Sequence, residues 1–225
     1  MIFHKKILTC LKKKYNKILI NKKIEGIIHR PFAPTIGQYK LADATVNQLN
    51  KYVDDVRSDK EKMQNTNYGN QLAGEVTHEI IISKEFLTKF LIEELGLNVH
   101  NYVKSTIDKE ITKFTIKSCW AVCQYENDYN PVHWHSGHVS GVAYLKVPKS
   151  FGDSLKKENR NGRIAFMHGS RQFLSNSNIE FKPAVGDLYL FPSYLMHSVY
   201  PFKSSEERRS IAFNAYVDED FVNKI

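Results

Sequence analysis

The chain has 225 residues, 42% of them hydrophobic and 25% charged, a composition that fits one folded domain with an extension and excludes a disordered polymer. Its formal charge of +8 belongs to the first 23 residues, where Lys5, Lys6, Lys12, Lys13, Lys14, Lys17, Lys22 and Lys23 stand without an acid. The remainder carries 24 bases against 24 acids, so net charge gives no support to a nucleic-acid groove through the main body. No apolar run approaches the ~18 residues of a membrane-spanning helix, and the expected compartment is the cytoplasm, or the host cytoplasm for a phage-encoded chain.

In chain order, residues 1–24 form a basic amphipathic extension: Phe3, Ile7, Leu8, Leu11, Tyr15, Ile18 and Leu19 fall at helical spacing among the lysines. Such an arm suits an anionic surface; the plainer reading packs its apolar stripe on the domain and solvates its lysines. The domain proper is expected over 25–225. Arg30-Pro31-Phe32-Ala33-Pro34-Thr35-Ile36 reads as an extended entry strand, because each proline disfavours helix in the residue before it. Helical support is expected over 40–105. A helix over 43–63 has Asp43 as N-cap and Val46, Leu49, Val53 and Val56 on one face. Ser83 caps a second helix that Gly96 is expected to close.

From Ile111 the pattern turns to short β segments at 111–125, 139–147, 163–167, 188–191, 197–202 and 209–217. Helices followed by strands predict an α+β class with a mainly β core, a sandwich or jelly roll over 111–217 supported by the N-terminal helices. Cys119 and Cys123 share one side of one strand, too far apart to bridge, and read as buried free thiols.

His133-Trp134-His135 places two imidazoles on the same face of an extended segment, and His197 offers a third from another strand. Imidazole suits iron, zinc or copper, so the spacing does not select a metal. Along Arg208-Arg209-Ser210-Ile211-Ala212-Phe213-Asn214, alternation puts Arg208, Ser210, Ala212 and Asn214 on a polar face. A guanidinium beside a hydroxyl there suits a carboxylate. The bland reading is an edge arginine paired with Glu206 or Glu207. Trp134 reads as core, Asp187 as turn chemistry, and Glu126 and Asp128 as solvated loop carboxylates. His138 reads as structural or substrate-facing, and His168 and Arg171 as candidates for a substrate mouth.

The run Asn130-Pro131-Val132-His133-Trp134-His135, then Ser140-Gly141-Val142-Ala143-Tyr144-Leu145, Phe191-Pro192-Ser193, His197, Pro201 and Arg208 to Asn214, resembles the Fe(II)/2-oxoglutarate oxygenases over roughly 27–217. Within them it is similar to a group found in bacteria and phages. Ala121-Val122-Cys123-Gln124-Tyr125 resembles a strand of prolyl hydroxylases. The resemblance implies a double-stranded β-helix (cupin-like) fold, with Fe(II) held by His133 and His197. His135 stands where most members have a carboxylate, either as an unusual third ligand or as a donor behind the ligands with water completing the site. It further implies 2-oxoglutarate held by Arg208 and Ser210 with Tyr125 and Tyr144, dioxygen as co-reactant, and hydroxylation of a peptide side chain or a small molecule. Two other readings remain open here: a three-histidine cupin-like metal enzyme that uses no 2-oxoglutarate, and a non-catalytic β-sandwich binding module.

Overall fold

The computed structural model describes residues 26–29 and 34–219; the amphipathic arm and residues 30–33 of the expected entry strand lie outside them. Strands β1 (Ile27–His29) and β2 (Ile36–Lys40) come first. They are followed by α1 (Asp43–Arg57), α2 (Lys60–Thr66), β3 (His78–Ile81), α3 (Lys84–Phe86) and α4 (Ile92–Ile107). The remaining strands are β4 (Phe114–Gln124), β5 (Asn130–His133), β6 (Val139–Lys146), β7 (Ile164–Met167), β8 (Asn178–Phe181), β9 (Asp187–Pro192), β10 (Met196–Val199) and β11 (Arg208–Val217). All pairings are antiparallel and form two sheets, one ordered β1-β2-β9-β6-β11-β4-β3 and the other β5-β10-β7-β8.

The period of two along the central strands divides the interior into two cores. Cys119, Ala121 and Cys123 of β4, Leu188 and Leu190 of β9, and Ile211, Phe213 and Ala215 of β11 turn to one side. There they meet Val46, Leu49 and Val53 of α1 and Leu95, Val99 and Val103 of α4. Leu49 and Val53 are fully buried, each worth about 1.5–3 kcal/mol of transfer free energy. Tyr189 and Phe191 of β9 and Tyr144 of β6 turn to the other side, against Ile164, Phe166 and Val199 of the small sheet. Both described thiols are buried and free.

Three local expectations are corrected. Asp43 is the first helical residue and not the cap: the preceding Ala42 has no capping side chain, and its N–H donates instead to Glu94 of α4 at 2.7 Å. The helix expected over 43–63 breaks at Ser58-Asp59, where Asp59 caps α2 through the N–H groups of Glu61 and Lys62. Gly96 does not end its helix. Ser83 caps α3 as expected, the chain continues through a π-helical stretch Leu87–Leu91, and α4 ends only at Asp108 with φ 54°. Burial of Leu95, Val99, Tyr102 and Val103 on both sides of Gly96 outweighs the ~1 kcal/mol that glycine costs a helix.

Candidate metal centre

His133 ends β5 and His197 lies in β10, and the two are directly opposed in the antiparallel register. His135 follows two residues after His133, and its N–H donates to Ser193 O at 2.9 Å, which ties it to the turn before β10. The three rings therefore converge with centroids 4.2 Å (His133–His197), 4.9 Å (His133–His135) and 5.0 Å (His135–His197) apart. One potential ligand atom from each lies within 4.8 Å of the others. Gly137 turns the chain from this stretch into β6 with φ +137°, a conformation that favours glycine, and a Cβ there would stand 3.1 Å from Ala215 O.

The imidazoles are prepared as ligands. His133 Nδ1 stands 2.7 Å from Pro131 O and His197 Nδ1 2.9 Å from Leu195 O. A carbonyl accepts only, so each Nδ1 carries the proton and each Nε2 keeps its lone pair. Burial lowers all three pKa values, to about 4 for His135 and about 3 for His197, and for these two the neighbouring imidazoles add to the effect. Neutral imidazole is the form that binds a metal. The donor set is uncharged, so a divalent ion here would keep its full charge and favour an anionic co-ligand.

The same cavity is lined by Trp120, Val122 and Gln124 of β4, by Asn130, and by Arg208, Ser210 and Ala212 of β11. Arg208 is 2% exposed. It donates to Gln124 Oε1 and to the Tyr144 hydroxyl at 3.1 Å, and its guanidinium carbon lies 4.9 Å from the Tyr144 ring centroid. Its Nε–H is buried without a partner. An orphaned charged donor is costly, and a carboxylate is the group that would satisfy it. By this test the residues fit both a divalent metal and a carboxylate-bearing co-substrate.

The other candidates separate cleanly. Tyr125 does not reach the cavity: it follows Gln124 with the opposite parity, and its hydroxyl accepts from Arg57 of α1 at 2.9 Å. His138 is tied to the backbone of Val217 at 3.1 Å and lies edge-on to Tyr216, so it closes the β6–β11 end of the sheet. His168 and Arg171 are exposed on the connection from β7 to β8 and do not line the cavity. Trp134 does not line the cavity, and it is 61% exposed and not core. Asp187 accepts from Ala184 N–H in its turn and pairs with Lys40 at 2.7 Å. Asp128 accepts from Thr77 and Tyr125 N–H, and Glu126 is exposed. The bland pairing with Glu207 belongs to Arg209, not Arg208. Sequence reasoning missed Gln124 and Asn130; the parity of Gln124 with Val122 and Trp120 was the available signal.

Residues 118–214 match the family model described as "Putative 2OG-Fe(II) oxygenase". That segment is a 2OG-Fe(II) oxygenase domain. The oxygenase is thereby an oxidoreductase of the dioxygenase type, with Fe(II) as cofactor and 2-oxoglutarate as co-substrate. Among curated proteins none matches the chain by sequence. Among solved structures it is similar to a Pseudomonas putida prolyl-4-hydroxylase, at 15% identity over 81% of this chain and 91% of that one, TM-score 0.50. A second is HygX from Streptomyces hygroscopicus with nickel, 2-oxoglutarate and hygromycin B bound, at 11% identity over 80% and 82%, TM-score 0.53. A third is a Trichoplax adhaerens prolyl hydroxylase in complex with a hypoxia inducible factor peptide fragment, at 14% identity over 83% and 84%, TM-score 0.52. At these identities the likeness is one of fold. No helix among the described residues of the oxygenase is long and apolar enough to cross a membrane.

Proposed function

We propose that His133, His135 and His197 hold the iron of this oxygenase, that Arg208 takes the distal carboxylate of 2-oxoglutarate with Ser210 and Tyr144 beside it, and that the product is a hydroxylated peptide side chain. On this reading the two antiparallel sheets are the halves of a double-stranded β-helix, with the site between them. The observation that carries it is the shared cavity: three neutral imidazoles and a buried arginine with an unsatisfied Nε–H line the same space.

Fe(II) and 2-oxoglutarate, when bound, would supply with dioxygen the oxidative decarboxylation that yields succinate and carbon dioxide, one oxygen atom entering succinate and the other being left for hydroxylation. The chain's own residues do the rest. Pro131 O and Leu195 O fix the tautomers and planes of two imidazoles. Arg208 fixes the far end of the co-substrate, and Phe191, Val199 and Ile164 exclude water from the cavity wall. His135 is assigned as the third ligand because its ring converges with the other two. Tyr125 is left out because Arg57 holds its hydroxyl.

The peptide reading rests on the fold likeness. Two of the similar structures are of prolyl hydroxylases, whereas HygX was solved with hygromycin B.

The test is anaerobic titration of the Fe(II)-loaded protein with 2-oxoglutarate, followed by the metal-to-ligand charge-transfer band, and succinate release once air is admitted. A saturable band and succinate formation are expected. Iron binding with no response to 2-oxoglutarate would instead favour a three-histidine enzyme that uses another substrate alone.

A further inference from the structure

Gln124 is completely buried, and both ends of its amide are engaged. Its Oε1 accepts from Arg208 Nη1, and its Nε2 donates to Asn130 Oδ1 at 3.0 Å. The β4–β11 register places Gln124 directly opposite Arg208, so the contact is set by strand pairing and not by a chance rotamer. Asn130 opens β5, the strand that ends in His133. Reversing the Gln124 amide would turn its NH2 toward a guanidinium and its carbonyl toward another carbonyl. The donor to Asn130 thus fixes which end faces the arginine.

The guanidinium has five N–H groups. Gln124 takes one from Nη1 and Tyr144 one from Nη2, while Nε–H stays unpartnered. Both partners are neutral, so the arginine is held at two points without losing its charge, and its Nε side is left for an anion.

From this we infer that Gln124 is the positioning residue of the co-substrate anchor: its neutral amide, oriented by Asn130, aims Arg208 and keeps the guanidinium unpaired for a distal carboxylate. The inference rests on the proposed role of Arg208. Neutrality is the essential property. A carboxylate of the same length at position 124 would keep the shape and the hydrogen bond, yet it would pair with Arg208 internally and compete with the incoming anion.

The experiment compares Gln124→Glu and Gln124→Leu with the unchanged protein, all metal-loaded without oxygen. It measures the dissociation constants of 2-oxoglutarate and of oxalate, which chelates a metal but has no distal carboxylate to reach Arg208. Gln124→Glu should weaken 2-oxoglutarate by about tenfold or more, the worth of one charge-assisted hydrogen bond, and leave oxalate within about twofold. Gln124→Leu, which keeps the charge but removes the aim, should weaken 2-oxoglutarate less than Gln124→Glu does, again sparing oxalate. Equal weakening of both ligands would show Gln124 serving only the fold, and unchanged 2-oxoglutarate affinity in Gln124→Glu would overturn the inference. If the unchanged protein binds oxalate but not 2-oxoglutarate, the role of Arg208 itself fails, and this inference with it.

Discussion

Arg208 and Arg209 are neighbours on one strand, at 2% and 0% exposure, yet they solve the same electrostatic problem in opposite ways. Arg209 faces α1. Its Nε reaches Glu207 at 2.8 Å, its Nη2 reaches Asp54 at 2.6 Å, and its Nη1 donates to Asn50 O at 3.1 Å. Arg208 faces the cavity with two neutral partners and an orphaned Nε–H. A buried cation with two carboxylates is a joint between layers; one with none is free to meet an anion from outside the fold, the part proposed for Arg208. Strand parity alone decides which arginine plays which part.

The comparison breaks most visibly at Arg209. Arg209→Ala takes a buried cation from Glu207 and Asp54; Arg57 at 3.0 Å and Lys146 at 3.4 Å still meet Glu207, so the loss should sit at about 3 kcal/mol, the low end for a broken buried pair. Thermal unfolding should show a midpoint lower by roughly 10 °C. A change of a degree or two would mean that the network is decorative. The effect should also be acid-sensitive. Burial pushes the Glu207 carboxyl up, but the hydrogen bond and charge of Arg209 outweigh it, and the net pKa is lowered. The stability from that pair is present above the carboxylate's unfolded pKa and lost as pH falls through the lower folded one. The gap between unchanged protein and variant should therefore close in acid.

Arg208→Met tests the other half. It should cost about 2–5 kcal/mol of 2-oxoglutarate binding, at least tenfold in affinity, while the melting temperature of the metal-free protein holds or rises, because an unsatisfied buried charge is removed. Calorimetric titration and a thermal melt on one sample read both. A variant that unfolds as readily as Arg209→Ala would make the two arginines equivalent and erase the distinction.

Much of this was legible in the sequence wherever a period of two sufficed. The alternation Arg208, Ser210, Ala212 against Ile211, Phe213 separates the cavity face of β11 from its core face, and His133 and His135 share a side for the same reason. What escaped depends on pairing across the chain. Gln124 meets Arg208 over 84 positions through the β4–β11 register, and no local pattern announces that. Tyr125 fails by one residue: parity sends it to Arg57 instead of the cavity. The strands β3, β5 and β8 have four residues each, too few to show a period, and they lack the continuous apolar run that marks β7 at the same length. Gly96 sits inside α4 because the packing around it outweighs its propensity.

Glu79 completes the comparison as a third buried charge, one that has a remedy closed to arginine. It lies on β3 opposite Val122, is 4% exposed, and burial alone pushes its pKa up from 4.5 to about 7. A carboxyl can discard its charge by keeping a proton, whereas a guanidinium cannot. Between pH 4.5 and about 7 the unfolded chain gives up this proton while the folded one retains it. Stability is therefore lost as pH rises through that window, and no cost exists below it. Glu79→Gln removes the titration but keeps the shape. It should stabilise the protein by about 1–3 kcal/mol near pH 8, and by much less near pH 4, in denaturant unfolding at the two pH values. Comparing the two conditions cancels whatever the new amide gains or loses by its own fit. An identical effect at both would mean that Glu79 is ionised in the folded protein, and that a cation or donor meets it much as Glu207 and Asp54 meet Arg209.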